Sequence, residues 1–157
     1  MQPDKLDAMV EQGYVVDVNG EQRTLTEDDK IKLSALATFL HALEPSGRKD
    51  FLSAFNGLIR TYDSNGVKEV FGEDGAIQIL NAVNTDIPEA KVLKQIVADY
   101  GSFRDFASVY DQANTYGLKD SISKYIQTLE KSLGVDEDTI TSVFSYVLNL
   151  YKGGYGR

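Results

Sequence analysis

Several residue types that commonly take part in catalysis or metal binding are missing or nearly missing from this chain. Its 157 residues include no cysteine and a single histidine, His41. The absence of cysteine excludes disulfide bonds, thiolate metal sites and cysteine nucleophiles. A catalytic triad or a histidine-ligated metal would depend on His41 alone. Because His41 lies beside the apolar stripe of a predicted helix, near the end of that helix, we interpret it as structural rather than as a haem or metal ligand.

Long apolar runs and an excess of basic charge are also missing. No stretch reaches the ~18 apolar residues that a membrane span requires, and the N-terminus lacks the pattern of a signal peptide. Acidic residues outnumber basic ones by 24 to 16, so the formal net charge is −8. Proteins bind phosphate backbones mainly through Lys and Arg, so this balance disfavours direct nucleic-acid binding. We expect a soluble, cytoplasmic protein (virion-associated if it is viral), with no nucleic-acid or membrane partner.

Sequence motifs for catalysis or phosphate binding are absent as well. There is no G-x-G-x-x-G, no P-loop and no H-E-x-x-H. The acidic runs 27–29 and 136–138 lie at predicted helix starts, where the helix dipole accounts for them. The turn at 63–66 does not have the spacing of an EF-hand calcium loop. The sequence therefore predicts no catalytic residue, no metal site and no cofactor.

A helical pattern covers most of the chain. Apart from the irregular segment 63–75, apolar residues recur every three to four positions between residues 26 and 151, which is the period of amphipathic helices. The hydrophobic share of 42% and the charged share of 25% are typical of a globular protein, and the length suggests one domain, over 1–157. We predict a mainly α fold, a compact bundle of about seven helices with one short N-terminal β-hairpin.

The N-terminal half combines this hairpin with helices. Residues 1–25 are predicted to form a short helix and the hairpin, since Asn19-Gly20 between two strand-like runs favours a type I′ turn. Residues 26–83 are predicted to contain the N-terminal helices, of which Thr26 caps the first. Asp29 stands where a capping box usually has Glu, so we expect an imperfect box. Residues 67–71 are predicted to form one helical turn.

Residues 88–151 are predicted to form a C-terminal bundle of four helices. Gly101, Gly117 and Gly134 each follow an apolar stripe, which predicts that a helix ends at each of them. Val109 and Leu118 belong to these stripes and are expected in the core. The short connections require neighbouring helices to be antiparallel. The glycine-rich segment 152–157 is predicted to be a flexible tail.

Tyrosines concentrate in the C-terminal half and carry the functional prediction. A tyrosine combines an apolar ring with a polar hydroxyl, and it is enriched where proteins bind each other. These residues therefore predict either a tyrosine-rimmed core or an interaction surface. The candidate interaction residues are Tyr110, Tyr116, Tyr125, Tyr146, Tyr151 and Tyr155.

These observations favour a non-enzymatic adaptor or assembly protein that binds another protein and has the option of forming homo-oligomers. Its acidic surface favours a partner with a basic surface. One version is a structural protein of viral or phage origin, and another is an inhibitor that occupies the nucleic-acid groove of a host enzyme. The alternative is a globin-like regulatory domain that senses a small apolar molecule. Its cavity would be lined by Phe39, Phe51, Phe55 and Tyr62.

Overall fold

The chain is mainly helical, as its apolar periodicity predicts. The computed structural model describes residues 15–18, 21–24, 26–43, 51–63 and 66–152, with the backbone alone at 15–18, 21–24, 60–63, 66–69 and 152. Within these ranges the structure has seven helices: α1 (Glu27–Ala42), α2 (Phe51–Ile59), α3 (Gly72–Ala82), α4 (Pro88–Tyr100), α5 (Phe103–Tyr116), α6 (Lys119–Leu133) and α7 (Glu137–Lys152). None of the helices in the described part of the chain is both long and apolar enough to cross a bilayer.

The described backbone also includes four short strands, paired antiparallel in twos. They are β1 (Val15–Val18), β2 (Glu21–Thr24), β3 (Arg60–Asp63) and β4 (Gly66–Glu69). The Asn19-Gly20 turn and the helix predicted before β1 lie outside the described residues, so the N-terminal hairpin stays a prediction.

The helical turn predicted over 67–71 is wrong. Its first residues lie in β4, where Val67 pairs with Tyr62. The backbone N–H of Val70 donates to the carbonyl of Ile59 (3.3 Å), and that of Phe71 donates to the carbonyl of Leu58 (3.0 Å), which continues the pairing to the end of α2. A segment this short has little helical preference of its own, so its pairing partner decides its conformation.

Two compact units divide the chain, residues 1–79 and residues 80–157. In the first unit, α1 packs against α2 through three fully buried rings, those of Phe39, Phe51 and Phe55. The ring centroids lie 5.5 to 6.4 Å apart. The apolar stripe that periodicity predicts for α1 is Leu33, Leu36, Ala37, Leu40 and Leu43. Ala37 and Leu40 of this stripe are buried and Leu36 is half-buried, while Phe39 is buried without belonging to it. The packing of Phe39 against the two phenylalanine rings of α2 therefore determines which side of α1 is buried.

The first turn of α1 is closed by a complete capping box, although its acidic member is aspartate. The backbone N–H of Asp29 donates to Oγ1 of Thr26 over 3.1 Å, and the backbone N–H of Thr26 donates to Oδ2 of Asp29 over 3.2 Å. The expected imperfection is therefore not found, because the shorter side chain still reaches the cap. Two donors that a helix leaves unpaired at its start are satisfied in this way.

The second unit contains the four predicted C-terminal helices, and α7 packs against each of α4, α5 and α6. Gly101, Gly117 and Gly134 end α4, α5 and α6 at positive φ angles of 89°, 72° and 66°, as the sequence predicts. Pro88 is the first residue of α4, at the position where the predicted C-terminal bundle begins. The buried residues of α7 follow its apolar stripe and are Ile140, Val143, Phe144, Val147 and Leu150.

Candidate functional site

The second unit gathers five rings into one cluster, which we call the aromatic cluster: Tyr100, Phe106, Tyr110, Tyr125 and Phe144. Phe106 and Phe144 are fully buried, with ring centroids 4.7 Å apart. The ring of Tyr125 stacks on Phe144 at 5.8 Å, and the ring of Tyr110 stacks on Phe106 at 5.8 Å. Two of the candidate interaction residues therefore form the half-buried rim of the core.

The hydroxyl of Tyr125 is held by Asp99 of α4. It donates to Oδ2 of Asp99 over 2.7 Å, and Nε2 of Gln95 donates to the other carboxylate oxygen over 3.0 Å. Burial, and then the hydrogen bond to Asp99, raise the pKa of Tyr125 far above its ordinary value. Burial and the charge of Asp99 likewise raise the pKa of Tyr100. The hydrogen bond between Tyr125 and Asp99 links α6 to α4.

The remaining candidate tyrosines divide between buried and exposed positions. Tyr146 and Tyr151 on α7 are half-buried, and the guanidinium of Arg104 lies 5.4 Å from the ring centroid of Tyr151. Tyr155 lies outside the described residues. Tyr116, at the end of α5, is 74% exposed. Among the described candidates, Tyr116 is exposed, whereas Tyr110, Tyr125, Tyr146 and Tyr151 are half-buried.

Tyr116 is accompanied by two exposed aliphatic side chains that the sequence places in the core. Leu118 is 59% exposed and Val109 is 41% exposed. Val109 and Tyr116 lie on the same side of α5, because seven residues make about two helical turns. Leu118 follows directly after Gly117. We call these three residues the Tyr116 surface, and they are the exposed large hydrophobic side chains among the described residues.

Leu118 lies between the C-terminal end of α5 and the N-terminal end of α6 and takes part in both helix ends. Its backbone N–H donates to the carbonyl of Ala113 over 2.8 Å and so closes the end of α5. It is also the N-cap residue of α6, where its side chain cannot accept a hydrogen bond. Ile87 has the same position before α4, but it is buried. Burial compensates for the missing cap at Ile87, whereas more than half of the Leu118 side chain stays in water.

The first unit has a groove between α1 and α2, with a volume of about 570 Å³. Small side chains form most of its walls, and those of Ser34, Thr38 and Ser53 are exposed. The described residues that line it are Glu27, Lys30, Ile31, Ser34, Ala35, Thr38, Ser53, Ala54 and Gly57. The three phenylalanines of the suggested sensor cavity do not line this groove. They contact one another and fill the space between the helices.

No group of three or more acidic, histidine or cysteine side chains in the described part of the chain is placed to hold a metal ion. His41 is exposed in the last turn of α1. No family model, curated protein or solved structure matches this chain. The geometry of the Tyr116 surface is therefore the main support for a functional proposal.

Proposed function

We propose that this chain is a non-enzymatic adaptor or assembly protein whose second unit binds another protein through the Tyr116 surface. The observation that carries the proposal is the exposure of Tyr116 and Leu118 on either side of Gly117. Tyrosine is enriched among the few central interface residues whose truncation to alanine weakens binding by about 2 kcal/mol or more. Val109 extends the apolar area along α5.

The local sequence around Leu118 supports this proposal. A serine, threonine or aspartate at the N-cap of α6 would stabilise the helix by about 1 kcal/mol relative to an apolar residue. The chain has leucine there, without a side-chain cap hydrogen bond and 59% exposed. Positions that contradict local preference without compensation inside the fold are expected at functional sites.

The apolar part of the proposed partner is a pocket that accepts the ring of Tyr116. Its charged part is basic, because the chain has an excess of eight acidic residues and opposite charges steer two proteins together. A cytoplasmic adaptor and a virion component would both use such a surface. The sensor alternative receives less support, since Phe39, Phe51 and Phe55 fill the region in which its cavity was expected.

Photo-crosslinking tests the proposal directly. A benzoylphenylalanine at position 116 of the full chain should crosslink to a partner protein, while the same residue at the exposed α6 position Lys131 should not. The crosslinked partner is then purified, and its affinity is measured for the unmodified chain and for Tyr116→Ser and Leu118→Ser.

We expect each of these substitutions to weaken binding by about tenfold or more, which corresponds to ~1.4 kcal/mol. Lys131→Ser is the matched control and should bind as the unmodified chain does. Equal affinities for the three variants would place the interface elsewhere and refute the proposal. Crosslinks between two copies of this chain would identify the partner as a second copy.

A further inference from the structure

We propose that Gly117 is a positioning residue of the Tyr116 surface, because its left-handed backbone fixes Leu118 relative to Tyr116. This inference rests on the proposed function, in which a partner binds Tyr116 and Leu118 together. It adds that the partner recognises one fixed arrangement of these two side chains, and that a residue without a side chain maintains the arrangement.

The corner between α5 and α6 is exposed along its whole length. Every residue from 114 to 121 is exposed, and Gly117 lies near the middle of this segment. Buried residues begin again only at Ala113 on one side and Ile122 on the other. Since none of the residues between them is buried, the backbone has to hold the segment in place.

Two backbone hydrogen bonds to the buried residue Ala113 hold the corner. The backbone N–H of Gly117 donates to the carbonyl of Ala113, and the backbone N–H of Leu118 donates to the same carbonyl over 2.8 Å. The bond from residue 118 back to residue 113 is typical of a Schellman motif, which needs a left-handed residue directly before Leu118. Gly117 provides it with a φ angle of 72°. Leu118 is therefore tied to the same helix that carries Tyr116.

The requirement at position 117 is conformational rather than steric. A Cβ added to Gly117 would meet no atom within 4 Å, so there is room for a side chain. A positive φ is nevertheless unfavourable for residues with a Cβ; asparagine tolerates it best, and β-branched residues rarely adopt it. Substitutions at this position thus change the backbone preference of the corner without introducing a clash.

A fixed corner lowers the free-energy cost of binding. A partner that binds two side chains on a mobile segment has to order that segment, and the lost conformational freedom weakens the complex. Tyr116 and Leu118 are already held to α5 by the bonds to Ala113, so this cost is reduced. A valine at position 117 should break these bonds and release Leu118 from its position.

Paired substitutions at Gly117 and Gly134 test the inference in the full chain. Gly134 is the matched control, because it ends α6 at a φ angle of 66° and a Cβ there also meets no atom within 4 Å. Gly117→Val and Gly134→Val should both lower the midpoint of urea denaturation, and the asparagine variants should lower it less. Circular dichroism shows that each variant is folded under the conditions of the binding measurement.

Affinity is then measured for the partner that is crosslinked at position 116 and purified. We expect Gly117→Val to bind this protein about tenfold more weakly or worse. Gly117→Asn and Gly134→Val should bind it as the unmodified chain does. Rescue by asparagine distinguishes the left-handed backbone from the mere absence of a side chain.

A measurement on the unmodified chain requires neither a variant nor a partner. ¹⁵N relaxation should give backbone order parameters of about 0.85 at Tyr116, Gly117 and Leu118, as in rigid segments. Values below about 0.6 at Gly117 and Leu118 would show a mobile corner and overturn the inference.

The binding results separate this inference from the proposed function. If Tyr116→Ser weakens binding and Gly117→Val does not, the partner uses the surface but Gly117 does not position it. Equal losses of affinity for Gly117→Val and Gly134→Val would reduce the effect to stability and would also overturn the inference. If Tyr116→Ser binds as the unmodified chain does, the proposed function fails, and the role of Gly117 fails with it.

Discussion

The hydroxyl of Tyr125 donates a 2.7 Å hydrogen bond to the carboxylate of Asp99, a residue 26 positions earlier in the chain. This contact joins α6 to α4 at the edge of the aromatic cluster. Behind the hydroxyl, the ring of Tyr125 packs on Phe144 and Tyr100. One half-buried tyrosine therefore provides both apolar packing and a polar link between two helices.

Removal of this hydroxyl should destabilise the second unit. Tyr125→Phe keeps the ring and loses the hydrogen bond, so we expect the free energy of unfolding to fall by about 0.5–1.5 kcal/mol. Urea denaturation followed by circular dichroism measures the change. Tyr116→Phe, at an exposed position, is the control and should change stability by less than about 0.5 kcal/mol. Equal effects of the two substitutions would contradict a structural role for the Asp99 contact.

Alkaline pH should reveal the same contact. Burial and Asp99 raise the pKa of Tyr125 above its ordinary value of 10.0, so above that pH the unfolded chain has lost a proton that the folded chain retains. The stabilisation is complete below about pH 10 and decreases as the pH rises, by at most ~1.4 kcal/mol per pH unit and less where solvent screens the group. Stability of the unmodified chain should thus fall more steeply than that of Tyr125→Phe. Parallel curves between about pH 9 and 11 would refute this.

Loss of a ring from the centre of the aromatic cluster should be more damaging. Phe144 is fully buried and contacts Phe106, Tyr110 and Tyr125. Phe144→Ala should lower the free energy of unfolding by about 3–5 kcal/mol, because it leaves a cavity among the helices. Phe144→Leu keeps most of the volume and should cost substantially less. A loss below about 1 kcal/mol for the alanine variant would show that the cluster is not a core.

The capping box of α1 offers a test in the first unit. Thr26→Ala removes the acceptor for the backbone N–H of Asp29, and Asp29→Ala removes the acceptor for that of Thr26. Each single substitution should cost about 1 kcal/mol. Because the two residues form one motif, the double variant should lose less than the sum of the single losses, and urea denaturation of all four proteins measures this coupling. If the loss of stability in the double variant equals the sum of the two single losses, the two hydrogen bonds are independent, which would argue against a reciprocal capping box.

Substitution of Leu118 should raise the stability of the chain and weaken its binding to a partner. Leu118→Asp supplies an acceptor for the first turn of α6, so we expect the free energy of unfolding to rise by about 0.5–1 kcal/mol. The same change removes an apolar side chain from the Tyr116 surface, so binding to a partner found by crosslinking should weaken. Thermal denaturation measures the first effect and a binding titration the second. A variant that is less stable would indicate that Leu118 is needed at the end of α5.

Local sequence rules correctly predicted where α4, α5 and α6 end. Gly101, Gly117 and Gly134 end their helices because glycine adopts positive φ at little cost, a property of the residue rather than of its neighbours. The start of α4 at Pro88 follows equally from a fixed φ and a missing N–H. Periodicity also identified the buried side of α7.

Tertiary contacts determined which apolar side chains are buried, which local sequence rules could not predict. Val109 and Leu118 lie on apolar stripes and are exposed, because periodicity shows which side of a helix is apolar but not whether a neighbour covers it. Phe39 is buried because Phe51 and Phe55 meet it there, and β4 forms because β3 lies beside it. The sequence by itself determined a helical chain with defined ends in its C-terminal half. Packing between segments distant in the chain determined which tyrosines became half-buried at the core and left Tyr116 exposed.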